Sequence, residues 1–382
     1  MDEKLKETIS RYVEQHEEEA KALLLKLGAI PAPSRHEEKR AAFVRDWLIA
    51  KGAQKVYIDD AQNVLCEIGT QEHEDLAVFA AHTDIVFPDT ETIPVAEKDG
   101  RLYAPGIGDD TACLVSLLMA AAYLLQEKPP LGTGVLIAAN ACEEGLGNCD
   151  GCKAIMRRYG SRIRTFCSFD TYLGRLISTA VGSYRYRVTV KTTGGHSWRD
   201  YGRTNAIAAL AQIIEKLYAI PVPEGGKTTR NVGTIEGGTT VNSIAESASM
   251  LCEFRSDRKE NLDFMQERFY ALLGEADAQS DVRVQCEVIG VRPCSGAVDP
   301  DALAAYTAAN EAVIRTFYDG PLDTQPGSTD ANIPLSKGIT ANTIGTIAGR
   351  YSHTREEWID LSSLPVGGRI TLGCILERVL QR

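Results

Sequence analysis

LAVFAAHTDIVF, residues 76–87, runs six apolar residues together and then sets His82 and Asp84 two positions apart. A short apolar run bounded by polar residues is the pattern of a strand buried on both faces, and such strands belong to parallel sheets. The pair at its end leaves two readings open: a histidine satisfied at a strand end, or a metal ligand with its orienting partner. The chain has only six histidines, and what stands at the other strand ends decides between the two.

Outward from this run the same texture repeats. GVLIAANA (134–141) and TFCSF (165–169) are further buried-strand patterns, and TACLVSLLMAAAYLLQE (111–127) is a buried helix. Residues 3–27 carry helical periodicity, stopped by Gly28, Pro31 and Pro33. Ser34 with Glu37 reads as a capping box opening a second helix that ends near Gly52. Strands alternating with helices imply an α/β fold with a mostly parallel sheet flanked by helices. Near Gly182 the texture changes. YRYRVTVKT (184–192) alternates at period two, TNAIAALAQIIEKLYAI (204–220) has helical spacing, and RNVGTIEGG (230–238) and SASMLCEFRS (247–256) are strand-like. Helical NLDFMQERFYALL (261–273) and strand-like VRVQCEVIGV (282–291) complete the order β-α-β-β-α-β, a split βαβ or ferredoxin-like unit. After Pro293 the first texture returns, with helices over 300–317 and 362–381. The expected organisation is a discontinuous domain, 1–182 with 293–382, interrupted by a continuous one, 183–292.

A chain of 382 residues, 44% hydrophobic, is long enough to bury two such cores. Its 52 acidic and 41 basic side chains give a formal charge of −11, which repels nucleic acid and anionic membranes, and neither is expected as a partner. The acidic, amphipathic start lacks the regions of a signal peptide, and no apolar run reaches a membrane span, so a cytoplasmic location is expected. The ten cysteines, mostly inside apolar segments, read as reduced thiols. Cys149 and Cys152 form a lone CxxC without the second pair a zinc knuckle needs.

In an open α/β sheet, ligands bind beyond the carboxyl ends of the strands. The residues there are His82 with Asp84, Glu143 with Glu144, and Asp170; GIGDDTA before the buried helix adds Asp109 and Asp110, and RYSHTREEWID adds His353. So many acids and histidines on one sheet edge repel one another or leave buried charges unless cations neutralise them. Two histidines and three carboxylates without cysteine suit borderline-hard divalent ions, zinc first, with manganese or cobalt as alternatives. One acid is then spare: Glu143, beside Glu144, is placed to act as general base for a metal-bridging water.

The motifs HTD (82–84), GIGDDTA (106–112), ACEEG (141–145), SFDT (168–171) and SHT (352–354) occur in that order, with GGHS (194–197) and NSIAESASMLCEFR (242–255) in the insert. This set resembles the two-zinc exopeptidase and N-deacylase family of peptidase T, carnosinase, aminoacylase, succinyl-diaminopimelate desuccinylase and bacterial glutamate carboxypeptidase. The resemblance implies that His82 and Asp170 bind one ion, Glu144 and His353 the other, and that Asp109 bridges both. Asp84 would orient the imidazole of His82, and Glu143 would pass a proton from the bridging water to the leaving amine. It also implies a cis peptide between Asp109 and Asp110, and an insert that serves as lid and pairs two chains in a homodimer. His196 would polarise the scissile carbonyl across that dimer, Asn242 and Arg255 would hold the substrate, and Arg292 is a further candidate anchor for a carboxylate. The insert departs from the family pattern: GGHSWRDYGRTNAI lacks the usual proline after the histidine, and SIA replaces the usual isoleucine-proline after Asn242. Asp170 stands where the deacylases and carboxypeptidases tend to have glutamate, which favours a short-peptide substrate.

The expected function is therefore a dinuclear metal-dependent amidohydrolase, first an exopeptidase (amino-, di- or tripeptidase), with N-acyl amino acid deacylase or carboxypeptidase as the alternative. A non-catalytic, metal-dependent peptide binder has no use for an acid such as Glu143 beside the metals. A thiol oxidoreductase built on Cys149 and Cys152 leaves the other motifs unexplained. GGKTT (225–229) has the tail of a phosphate loop, but Pro221 stands at its first glycine, and GxSxG is absent.

Overall fold

The computed structural model describes residues 1–381. The chain divides into two compact units, Met1–Ala180 with Gly296–Arg382, and Val181–Ser295. Strands and helices are numbered in chain order.

In the larger unit, seven strands lie in the order β1 (Val56–Ile58), β2 (Val64–Ile68), β6 (Gly134–Asn140), β3 (Leu76–His82), β7 (Ile163–Phe169), β15 (Thr340–Ile344) and β8 (Leu176–Ile177). The inner four run parallel, and the outer strands join antiparallel. Every residue of β3 and β6 is buried. Alternation then sorts their side chains: Ala77, Phe79 and Ala81 enter the core on one face, Leu76, Val78 and Ala80 the core on the other. The first core is roofed by α4 (Ala112–Glu127) and α10 (Leu364–Val379), the second by α5 (Asp150–Tyr159) and α9 (Asn332–Ser336). Phe79 is 1% exposed and stacks on Phe169, so Phe79→Ala would cost about 3–5 kcal/mol. Segment Ile107–Glu127 is in fact long and apolar enough to cross a bilayer, against the sequence expectation, but 89% of its most apolar window is buried in this core.

Two further expectations change at the N-terminus. The periodicity over 3–27 is two helices, α1 (Glu3–Gln15) and α2 (Glu17–Ala29), broken where His16 leaves helical geometry at φ −116° and ψ 14°. Ser34 and Glu37 form no capping box. Helix α3 (Glu38–Ala50) begins after Glu37 without a side-chain cap, because Ser34 donates to Asp84 and Glu37 accepts from Cys142 N. Both side chains are drawn away by long-range partners. Helix α8 (Pro300–Phe317) keeps its sequence-predicted extent, with Asp299 capping its first turn.

A small antiparallel sheet, β16 (Gly349–Arg350), β17 (Trp358–Asp360), β5 (Arg101–Tyr103) and β4 (Ala96–Lys98), also belongs to this unit.

The smaller unit is an antiparallel sheet in the order β11 (Thr228–Gly237), β13 (Ser247–Ser256), β9 (Gly182–Lys191) and β14 (Arg283–Arg292). Helices α6 (Ala206–Ala219) and α7 (Lys259–Asp277) pack Leu210, Ile213, Met265 and Phe269 against Tyr186, Val188, Met250 and Phe254 of the sheet. Its β-α-β-β-α-β order is the one the alternating sequence pattern predicts. A two-residue ribbon pairs β10 (Gly195–His196) with β12 (Ser243–Ile244).

Candidate metal centre

The parallel strands β3, β6 and β7 end at one edge of the large sheet, and that edge carries the site. His82 is the last residue of β3, Asp170 follows β7 directly, and Glu143 and Glu144 lie just beyond β6. Asp109 sits in the turn before α4, joined to Asp110 by a cis peptide bond. That turn requires glycine at 106: φ is +71°, and a Cβ there would lie 2.2 Å from Ile85 Cγ2. His353 arrives on the loop between β16 and β17, itself at φ +63°, a conformation few residues other than glycine adopt.

The side chains meet in an ordered way. Asp109 turns one carboxylate oxygen to His82 Nε2 and the other to His353 Nε2, each at 3.2 Å. His353 Nε2 is also 3.0 Å from Glu144 Oε1. Potential ligand atoms of His82, Asp109 and Asp170 lie within 4.8 Å of one another, as do those of Asp109, Glu144 and His353. A third such group joins His82, Glu143 and Glu144. Asp109 thus stands between two half-sites, with Glu143 beside them.

The electrostatics follow from this crowding. Burial works against the anion of Asp109, yet hydrogen bonds from His353 and His82 hold its carboxyl well below the usual carboxylate range. Burial and then Asp109 push Glu144 up to about 7 and raise Asp170 well above its ordinary value. Hydrogen bonds to Asp109 and Glu144 lift His353 to about 11. Two imidazoles and three carboxylates, the carboxylates repelling one another and no thiolate among them, are a donor set suited to divalent cations.

Asp84 does more than the sequence suggests. The Nδ1 of His82 lies closer to the Asp84 backbone carbonyl, 3.0 Å, than to its carboxylate, 3.4 Å. The carboxylate mainly accepts from Glu143 N and Glu144 N, each at 2.9 Å, and from Ser34 Oγ at 2.6 Å. It therefore fixes the loop that carries both glutamates.

Three supporting residues, Glu357, Arg40 and Asp330, escape the sequence reading, and Asp110, read there among the candidate ligands, takes a supporting role as well. Glu357 accepts from the backbone N–H groups of Gly106, Gly108 and Asp109 at 2.6–2.9 Å. Arg40, fully buried, donates to the carbonyls of Thr83, Leu27 and Ile30. Asp110 accepts from His82 N at 2.9 Å. Asp330 accepts from Asn140 Nδ2 at 2.5 Å, and burial followed by Glu143 pushes its carboxyl up to about 7. Only an unusual buried charge marks such residues, and burial is not visible in the neighbouring sequence. Cys149 and Cys152 are buried free thiols, with Cys149 Sγ 3.9 Å from Glu143 Oε1 and Cys152 Sγ 3.4 Å from Asp330 O.

In the smaller unit, His196 Nδ1 accepts from Trp198 N at 3.2 Å, which places the ring proton on Nε2. Asn242 accepts from Ser197 N through its carbonyl, and its side chain accepts from Thr240 Oγ1. Arg255 and Arg292 stand in one cross-strand row on either side of Ser183. The Arg255 guanidinium is engaged by Glu253 at 2.8 Å, and Arg292 is buried.

A mostly parallel α/β unit with a dinuclear-type donor set at its strand ends, interrupted by a split βαβ unit, defines a class of metallohydrolases. The chain belongs to peptidase family M20/M25/M40, whose family model matches residues 78–377. It is 26% identical over 328 residues to the protein YqjE of Bacillus subtilis (strain 168), covering 83% of this chain and 85% of that one. Its fold matches the aminopeptidase PepT of Bacillus cereus ATCC 10987 with a TM-score of 0.72 at 21% identity, over 94% of this chain and 98% of that one. It also matches the Bacillus subtilis protein YxeP, described as a dinuclear metal binding peptidase from the M20 family, with a TM-score of 0.65 at 18% identity, over 95% and 99% of the two chains.

Proposed function

We propose that this chain is a dinuclear metal-dependent exopeptidase of short peptides. The observation that carries the reading is Asp109, whose two oxygens face two different histidines, with Asp170 beside one and Glu144 beside the other. His82, Asp109 and Asp170 would hold one ion, and Asp109, Glu144 and His353 the second, zinc being the first choice for this donor set. A bound pair of divalent ions supplies Lewis acidity towards the scissile carbonyl and lowers the pKa of water. The chain's own residues do the rest. Glu143 takes the proton of the attacking water and returns it to the leaving amine nitrogen. Asp84 holds Glu143 and Glu144 in place through their backbone N–H groups.

The smaller unit serves as lid and pairs two chains in a homodimer. The exposed edge strand β11, with Ile235 54% exposed, supports that pairing, since the unpaired N–H and C=O groups of an uncovered edge strand invite a partner strand. His196 of the partner subunit, protonated at Nε2, donates to the carbonyl oxygen, while Asn242, Arg255 and Arg292 hold the substrate's polar groups.

The test loads chelator-stripped protein with zinc, cobalt or manganese and follows di-, tri- and N-acyl amino acid libraries by liquid chromatography. Release of a terminal amino acid from short peptides is the expected result. Cleavage confined to the N-acyl amino acids makes the protein a deacylase. No amide cleavage by protein carrying two ions per chain overturns the hydrolase reading.

A further inference from the structure

The turn that carries His196 is held without a core beneath its large side chains. Trp198 and Tyr201 are 85% and 90% exposed, so polar bonds must keep the turn in shape. Asp200 closes it twice: its carboxylate accepts from His196 N at 2.8 Å, and its own backbone N–H donates to His196 O at 2.9 Å. Arg203 lies 3.1 Å from the other carboxylate oxygen and donates to Gly194 O at 3.1 Å, which ties the residues on both sides of His196 together. The hydrogen bond from His196 N, and after it the charge of Arg203, hold the Asp200 carboxyl below its ordinary value. Glycine at 195 makes room for this anion, since a Cβ there would meet Asp200 Cβ at 2.8 Å.

The closed turn also fixes the imidazole. It presents Trp198 N to His196 Nδ1 at 3.2 Å and, more loosely, Arg199 N at 3.5 Å. N–H groups aimed at a ring nitrogen require a lone pair there, which leaves the proton on Nε2. Among the described residues no hydrogen bond involves Nε2, so that donor stays available to a ligand. The stretch after His196 lacks a proline, whose ring would stiffen a turn by fixing φ, and the Asp200–Arg203 pair supplies stiffness in its place.

We infer that Asp200, anchored by Arg203, is the positioning residue for His196: it holds the turn whose backbone N–H groups keep the imidazole in its Nε2–H form, ready to donate. The inference rests on the reading of His196 as the donor to the scissile carbonyl, and adds what aims it. Asp200 acts only through His196, so its effect on turnover should vanish when that imidazole is gone.

A double-mutant cycle in zinc-loaded protein tests this. A donor aimed at a developing oxyanion contributes ~10²- to 10³-fold in kcat, so loosening it by Asp200→Ala should cost roughly tenfold or more in kcat with KM nearly unchanged. Asp200→Asn keeps an oxygen for His196 N and should recover most of that loss. On the residual turnover of His196→Ala protein, Asp200→Ala should change kcat by less than about twofold. An equal fold-loss in both backgrounds overturns the inference, because a merely structural Asp200 would act whether or not the imidazole is present. Nitrogen NMR of protein labelled at the histidine nitrogens reads the ring without any turnover. The signals of His196 are those missing from His196→Gln. At a pH well above the ordinary imidazole value of about 6.5, wild type should show the proton on Nε2 alone. Asp200→Ala should place part of it on Nδ1 and draw the two nitrogen signals together. Identical His196 signals in the two proteins, or a proton on Nδ1 in wild type, overturn the inference. If no amide is cleaved, the hydrolase reading fails while these signals still decide whether Asp200 sets the ring.

Discussion

Replacing Asp84 by asparagine tests how the centre is held together. The carboxylate is fully buried and accepts three hydrogen bonds, from Glu143 N, Glu144 N and Ser34 Oγ. An asparagine of the same shape offers one oxygen, so one of the two backbone N–H groups meets an amide NH₂, donor against donor. That buried N–H costs roughly 1–3 kcal/mol, and turning the remaining charged bond into a neutral one costs about 1 kcal/mol more. Ser34 is spared, because its hydroxyl can rotate and accept. The loss of stability should therefore be about 2–4 kcal/mol in metal-free protein, read from urea unfolding with chelator present. Metal affinity should fall roughly 10- to 100-fold, the usual effect of losing a ligand's supporting partner. Unchanged urea midpoint and unchanged zinc titration together would show that the Asp84 carboxylate is no strut, and the reasoning would fail.

Three further outcomes are expected. Glu143→Ala should keep about two ions per chain and lose ~10²- to 10⁴-fold in turnover; metal loss by elemental analysis would make Glu143 a ligand and reassign the roles. Glu143→Ala and His196→Ala chains, unfolded and refolded together, should regain about a quarter of wild-type activity if His196 acts across the dimer, and none if it acts within its own chain. Burial opposes the anion of Glu67, but hydrogen bonds from Lys55, Thr70 and Tyr159 hold its carboxyl below the ordinary value. Its contribution is therefore present above the unfolded pKa of about 4.3 and lost as pH falls through the lowered folded value. Glu67→Gln should flatten the acid limb of a stability-against-pH curve; an unaltered limb would remove Glu67 from the account.

Much of this architecture is readable in the chain because its determinants are local. Strands such as 76–82 and 134–140 announce themselves by unbroken apolar runs, and the parallel-sheet rule then gathers His82, Glu143, Glu144 and Asp170 at one edge. The misread features share a cause. Ser34 and Glu37 have the spacing of a capping box, but partners 50 and 105 residues away outcompete the local bonds. Glu357 reaches about 250 residues back to its turn, and nothing in the neighbouring residues marks it. Strands of two or three residues, as in β4, β5, β16 and β17, are too short to show a period. Break points such as His16 are equally silent, since neither glycine nor proline stands there.

The position of Glu357 gives the centre one more property. The segment that delivers His353 to one half-site ends four residues later in the carboxylate that clamps the turn bearing Asp109, which both half-sites share. Settling either half-site thus stiffens a part of the other, and such reciprocity is a coupling free energy. Occupancy of the two positions should rise together along a steeper-than-hyperbolic isotherm, so that a cell poor in metal would hold this protein mostly empty or mostly full, with few molecules half loaded.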